Sequence, residues 1–209
     1  MVKRSAGVSV FVEGGGRGDS STIECRKAFS RLIERAGFQG RMPNVVACGS
    51  RGRAFDYFQQ ACKEGTRDSL LLVDSEGPVA QGSPWEHVRR RQGDGWERPA
   101  GATDDDLHLM VECMEAWIVA DRQVLRGHYN QALRENALPG RSNPEEVPKV
   151  DLYDALERAT RLAGGYRKGK DAFKLLEAVD PTVLRASCLW ARRFFDELDR
   201  RSVSLPAPR

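Results

Sequence analysis

Strand-like and helix-like runs alternate along the first part of the chain. Val8-Ser9-Val10-Phe11-Val12 is nearly continuous in β-formers, as expected of a strand covered by helices on both faces of a parallel sheet. It breaks at Glu13-Gly14-Gly15-Gly16. A helix is predicted over about 20–36, with Ile23, Ala28, Leu32, Ile33 and Ala36 at a rough 3.6 period. Asp19, Ser20 and Ser21 are its N-cap candidates, and Gly37 and Gly40 end it. A second strand is predicted over 44–48, then a helix over 51–63 stopped by Gly65. Ser69-Leu70-Leu71-Leu72-Val73 gives the clearest strand and runs into Asp74-Ser75-Glu76-Gly77-Pro78.

Residues 78–106 read as a loop-rich excursion, punctuated by glycine and proline and anchored locally by Trp85 and Trp96. A fourth strand is predicted over 107–111 and a helix over 112–125. This order implies an α/β fold: a Rossmann-like, mainly parallel sheet flanked by helices, with all strand C-termini on one edge. Residues 126–150 are turn-rich and polar, and helices are predicted over 152–162, 172–179 and 182–201. The chain therefore divides into an α/β domain, 1–125, and a helical C-terminal region, 126–209, whose last residues, from 202, read as a frayed tail.

Two of the three best strands end in carboxylates: Glu13 after the first, Asp74 and Glu76 after the third. In extended backbone, residues i and i+2 point the same way, so Asp74 and Glu76 converge while Ser75 turns aside. If strands one and three are neighbours, about 4.8 Å apart, Glu13 joins them. At about 4 Å and an effective dielectric of ~20, each carboxylate pair costs roughly 4 kcal/mol. Such a cluster takes up protons or binds a cation, and an all-oxygen site suits magnesium or manganese. A metal with open positions holds phosphate oxygens during an in-line displacement. The Gly14-Gly15-Gly16-Arg17-Gly18 run fits neither the dinucleotide fingerprint, because Asp19 stands where the third glycine would fall, nor a P-loop. Its glycines instead let backbone approach a metal-bound phosphate.

Composition narrows the picture. Apolar residues at 40% and charged residues at 30% allow a packed core and argue against disorder. No run approaches the length of a membrane span, and residues 1–7 lack the apolar core of a signal peptide. Five cysteines without a CxxC pair read as reduced core thiols of a cytoplasmic protein. The net charge of +3 is too small to prove a nucleic-acid partner, but the basic residues cluster. Arg51 and Arg53, Arg89 to Arg91, Lys168 and Lys170, and Arg192, Arg193, Arg200 and Arg201 form separate groups.

Val12-Glu13-Gly14 followed about sixty residues later by Asp74-Ser75-Glu76 resembles the Toprim domain of topoisomerases, primases and OLD-type nucleases. The stretch His108 to Ile118, with Glu115 and Trp117, resembles the strand-to-helix segment of RloB-like Toprim proteins. Lys168-Gly169-Lys170-Asp171-Ala172-Phe173-Lys174-Leu175-Leu176 matches a C-terminal element of an uncharacterised bacterial group related to them, often paired with an AAA- or ABC-type ATPase in defence loci. The chain departs from many Toprim domains in carrying Glu76 where they have aspartate.

The resemblance implies Glu13 as acid/base or metal ligand, Asp74 and Glu76 as magnesium or manganese ligands, and Glu115 as a further ligand. It also implies Lys168 and Lys170, with Arg51 and Arg53 on the same edge, as nucleic-acid contacts. The expected function is a metal-dependent nuclease acting on DNA or RNA, tRNA included, in anti-phage defence. A nucleotide-processing phosphodiesterase shares that chemistry. The alternative is an effector subunit inactive without its ATPase partner, motivated by an exposed basic, tryptophan-bearing loop over 84–99. A homo-oligomer is a further expectation.

Overall fold

The structure, a computed structural model, describes residues 7–16, 18–65, 68–80 and 82–203. Strands β1 (Ser9–Gly15), β2 (Asn44–Gly49), β3 (Ser69–Asp74) and β4 (Leu107–Met110) form one parallel sheet in the order β2-β1-β3-β4. Helix α1 (Asp19–Ile33) links β1 to β2, and α2 (Arg51–Lys63) links β2 to β3. The strands are apolar because both faces are covered. Along β3, Leu70 and Leu72 enter one core, while Leu71 and Val73 enter the other. The first core holds Phe29 and Leu32 of α1; the second holds Phe58 of α2 with Trp85 and Trp96.

Several elements differ from the sequence expectation. The 78–106 excursion contains a helix, α3 (Pro84–Arg90), with proline at its first position, where the missing N–H costs nothing. Trp85 and Trp96 are anchors as expected, but they are buried. Phe55 stacks on Trp96 at 4.5 Å, so the tryptophans of this loop are not exposed to a partner. The helix expected over 112–125 is two helices, α4 (Glu115–Ala120) and α5 (Arg122–Tyr129). Asp121 divides them: its carboxylate accepts from the N–H groups of Gln123 and Val124, as an N-cap does, and from Asp180. Helix α1 is preceded by Gly18 without a side-chain cap, so Ser20 and Ser21 lie inside it; the Asp19 side chain is outside the described residues.

After residue 125 come α6 (Lys149–Thr160), α7 (Lys168–Ala178), α8 (Pro181–Ser187) and α9 (Leu189–Val203), with no strand among the described residues. The two last replace one helix expected over 182–201, the break falling at Cys188. Helix α7 packs on α1, and α9 packs on β4. Trp117, fully buried, lies near Phe194 and Phe195 of α9, a core role as expected. The tail from 204 lies outside the described residues, and no described helix is long and apolar enough to cross a membrane.

The candidate metal centre

Strand order places the acids. From β1 the chain first goes to β2 on one side and then to β3 on the other. The order therefore reverses between β1 and β3, and a crevice opens at their C-terminal ends. Val12 pairs with Leu72, so Glu13 lies level with Val73, one residue short of Asp74 on the neighbouring strand. One carboxylate oxygen from each of Glu13, Asp74 and Glu76 lies within 4.8 Å of the others.

Glu76 arrives by a route the sequence did not indicate. Its φ is 61°, in the left-handed region, so the extended i, i+2 rule does not apply to it. The Ser75 N–H still bonds Met110 O, and the Glu76 N–H bonds Glu112 O, both at 2.9 Å. These bonds stitch the turn to the segment after β4 and hold an uncommon glutamate conformation that costs about 1–3 kcal/mol.

Each acid has partners. Glu13 Oε2 accepts from the Asp74 N–H at 3.1 Å. Asp74 Oδ1 accepts from the Met114 N–H at 2.9 Å. Glu76 Oε2 pairs with Lys149 Nζ at 2.6 Å. Arg51 lies 3.6 Å from Glu13 and donates to the Asp74 carbonyl. Its own position is fixed by Asp94 at 2.6 Å and by the Trp96 ring, 4.6 Å below it. Arg51 is thus an internal counter-ion of the cluster. Arg53, two residues on, is exposed and bonded to Tyr57.

A cavity of about 270 Å³ opens beside the cluster, lined by Glu13, Gly15, Asp74, Glu115, Lys168 and Phe173 among others. Glu115 is fully buried in its wall. Tyr166 donates to its Oε1 at 2.9 Å, and its Oε2 has no partner among the described residues. It is adjacent to the triad rather than part of it. Lys168 opens α7, expected only from residue 172, with its Nζ 5.3 Å from the Tyr153 ring. Lys170 is exposed in the same turn. Gly15, at φ 99°, meets α1 so closely that an added Cβ would lie 2.7 Å from Thr22 Cα. Lys149, Tyr153, Tyr166 and Asp94 carried no sequence signal, since each reaches the site from a distant segment.

Burial pushes the Asp74 carboxyl well above its ordinary value of 3.8; the Glu13 and Glu115 charges add to this, while Lys149 and Lys168 oppose it. Burial likewise raises Glu13 above 4.5, against the pull of Arg51 and the Asp74 N–H. Burial disfavours the charge on Lys149, but the Glu76 bond and the charges of Glu76 and Asp74 outweigh it, and its pKa is raised. Arg51 and Lys149 therefore leave the acids under-compensated. Three hard oxygen donors within 4.8 Å of one another, two of them with raised acid pKa values, fit a divalent cation such as magnesium or manganese.

The sign of the pH dependence follows. Folded Glu13 and Asp74 hold protons that the unfolded chain gives up. Without metal, their contribution to stability is full below the unfolded values of 4.5 and 3.8 and is lost as pH rises through the raised folded ones. A cation binds the ionised acids, so it expels those protons. Manganese titrations in two buffers of different ionisation enthalpy are expected to show proton release that grows as pH is lowered. Identical heats in both buffers at mildly acidic pH would show the acids already ionised.

Fold and site together define an α/β protein with a carboxylate cluster at the switch point of a parallel sheet. The profile of a family described as a domain of unknown function, DUF4276, matches residues 12–199, and the chain belongs to that family. The match spans the whole acidic site and the helices that close over it. No curated protein and no solved structure matches the chain.

Proposed function

We propose that the protein is a metal-dependent phosphodiesterase that cleaves nucleic acid. The observation that carries this reading is the convergence of Glu13, Asp74 and Glu76 at the sheet edge, ringed by Arg51, Lys149 and Lys168. The likeness of Val12-Glu13-Gly14 and Asp74-Ser75-Glu76 to Toprim motifs supports it, and extends the proposal to a defence nuclease paired with an ATPase.

Asp74, Glu76 and Glu13 would hold magnesium or manganese, which when bound supplies stabilisation of the charge on a phosphoryl oxygen. Glu13, with its raised pKa and its position fixed by the Asp74 N–H, is suited to take a proton from an attacking water. Lys168 lines the cavity and offsets phosphate charge there. Phe173 and Met114 supply apolar wall that limits water. The backbone of Gly14 to Gly16 borders the same cavity and admits a phosphate closely.

The test is magnesium- or manganese-dependent cleavage of DNA, RNA and tRNA by the wild type and by Glu13→Gln. Cleavage is expected with the wild type and is lost in the variant. Equal cleavage by both would remove Glu13 from the chemistry, and no cleavage of any polymer with either metal would overturn the proposal.

A further inference from the structure

Among the described residues, several exposed cations have no acid beside them, and three of these gather around one hollow. Arg134, Arg158 and Arg161 line a single depression of about 560 Å³ with Asn136 and Ala137. None of the three arginine side chains pairs with a carboxylate among the described residues, and all three are exposed. A cation at the C-terminal end of a helix is favoured by the helix dipole, which accounts for Arg158 and Arg161. It does not account for Arg134, which comes from the stretch just after α5. The Arg134 N–H bonds Ala159 O at 2.7 Å, and this holds the third guanidinium beside the other two. Three like charges around one hollow repel unless an anion lies between them. Guanidinium groups bind phosphate oxygens in pairs, so phosphate is the anion they fit best.

The hollow does not stand alone. A second depression, about 320 Å³, shares Arg158 and Ala137 with it and runs along α6 past Ala155 and Asp151 to Pro148. Arg141 lines it, held only loosely by Glu146 at 3.7 Å on an exposed edge. Asp151 is its one acid. Positions 148, 151, 155 and 158 follow helical spacing, so the groove follows one stripe of α6. The groove ends at Pro148, and the next residue, Lys149, leaves α6 on a different stripe and bonds Glu76 of the metal centre through its Nζ, so a strand following the groove turns around the start of α6 to reach the acids. From Lys149 to Arg158 is about 14 Å along the helix, or roughly four nucleotides at the axial spacing of one duplex strand.

We infer that this groove is a phosphate track that carries the backbone of a nucleic-acid substrate from the three arginines to the acidic centre. The inference rests on the proposed function and sharpens it: the substrate is a polymer several nucleotides long, not a mononucleotide or a small cyclic phosphodiester.

The experiment is binding of labelled single strands without metal, in EDTA, so that cleavage plays no part. Strands of about 20 and about 2 nucleotides, the second too short to span the track, are compared for the wild type and for Arg134→Ala/Arg158→Ala/Arg161→Ala, at several salt concentrations. The triple variant should bind the long strand more weakly by on the order of tenfold, with the salt slope flatter by about 2 for three lost phosphate contacts. Binding of the short strand should change little. A control variant, Arg26→Ala/Arg31→Ala/Lys63→Ala, removes the same charge from the exposed faces of α1 and α2 and should leave both affinities near wild type. The glutamine version of the arginine triple gives the same comparison should the alanine version fold poorly.

Unchanged long-strand affinity, or an equal loss in the control variant, would overturn the inference. So would displacement of the strand by polyglutamate as effectively as by unlabelled nucleic acid, which would make the groove a site for acidic protein. Because the readout is binding, an absence of cleavage with this binding pattern intact would count against the nuclease chemistry and not against the track.

Discussion

Asp74→Asn is expected to abolish metal-dependent cleavage without destabilising the metal-free protein. Asp74 is the buried member of the cluster, bracketed by Glu13 on one side and Glu115 on the other. Its charge would be the one least screened by water and most strongly engaged by a bound cation. Losing that engagement is worth several kcal/mol at the reacting phosphate, and roughly a thousandfold in rate. The same burial makes the ionised carboxylate a cost in the absence of metal, as its raised pKa records. Asparagine keeps an oxygen for the Met114 N–H and removes the repulsion. The melting temperature in EDTA should therefore equal or exceed that of the wild type, and the rise on adding manganese should vanish. A manganese-induced rise of wild-type size in the variant would place the metal elsewhere.

Arg201→Met should have the largest effect on stability, a loss of about 3–5 kcal/mol. Arg201 joins α9 to the N-terminal edge of the sheet, opposite the acidic site. It pairs with Asp106 at 2.6 Å and with Glu197 at 2.5 Å, and it donates to the carbonyls of Ser69 and Asp105. All three charged side chains are buried. Methionine fills most of the space but takes the guanidinium from Asp106, whose other oxygen keeps its bonds from Thr103, and leaves Glu197 with the exposed Arg200 as its cation among the described residues. Urea unfolding measures the loss. Adding Asp106→Asn and Glu197→Gln should recover much of it, because the cost lies in unpaired buried charge. A loss under about 1 kcal/mol in the single variant would mean that water already reaches the network.

The elements legible in the sequence are those that local rules control. Helix α2 runs over 51–63 as predicted, with Ser50 capping its start by accepting from the Arg53 N–H and Gly65 beyond its end. The strands were legible because burial on both faces leaves an apolar run. The break at Asp121 was not. An aspartate inside an apolar-periodic run reads as a solvated helix position until Asp180, from a distant segment, supplies its partner. Helix α3 was hidden because the excursion around it, 78–106, is rich in glycine and proline, and its stability comes from docking Trp85 and Val88 into the second core.

For the site, the sequence by itself determined that Glu13 and Asp74 stand where buried apolar runs stop; β3 does end at Asp74, but β1 continues past Glu13 to Gly15, because Gly14 and Gly15 still pair with Gly49 of β2. From that, a carboxylate pair on one sheet edge follows once the strands are neighbours. Only the tertiary structure decided the rest. It brought Glu76 in through a left-handed turn, because hydrogen bonds to Met110 and Glu112 set that backbone. It turned Arg51 inward as a counter-ion, because Asp94 and Trp96 arrive from the excursion after β3. It placed Lys149 on Glu76 across 73 residues of chain. Such contacts depend on the packing of whole elements, and no spacing along the chain encodes them.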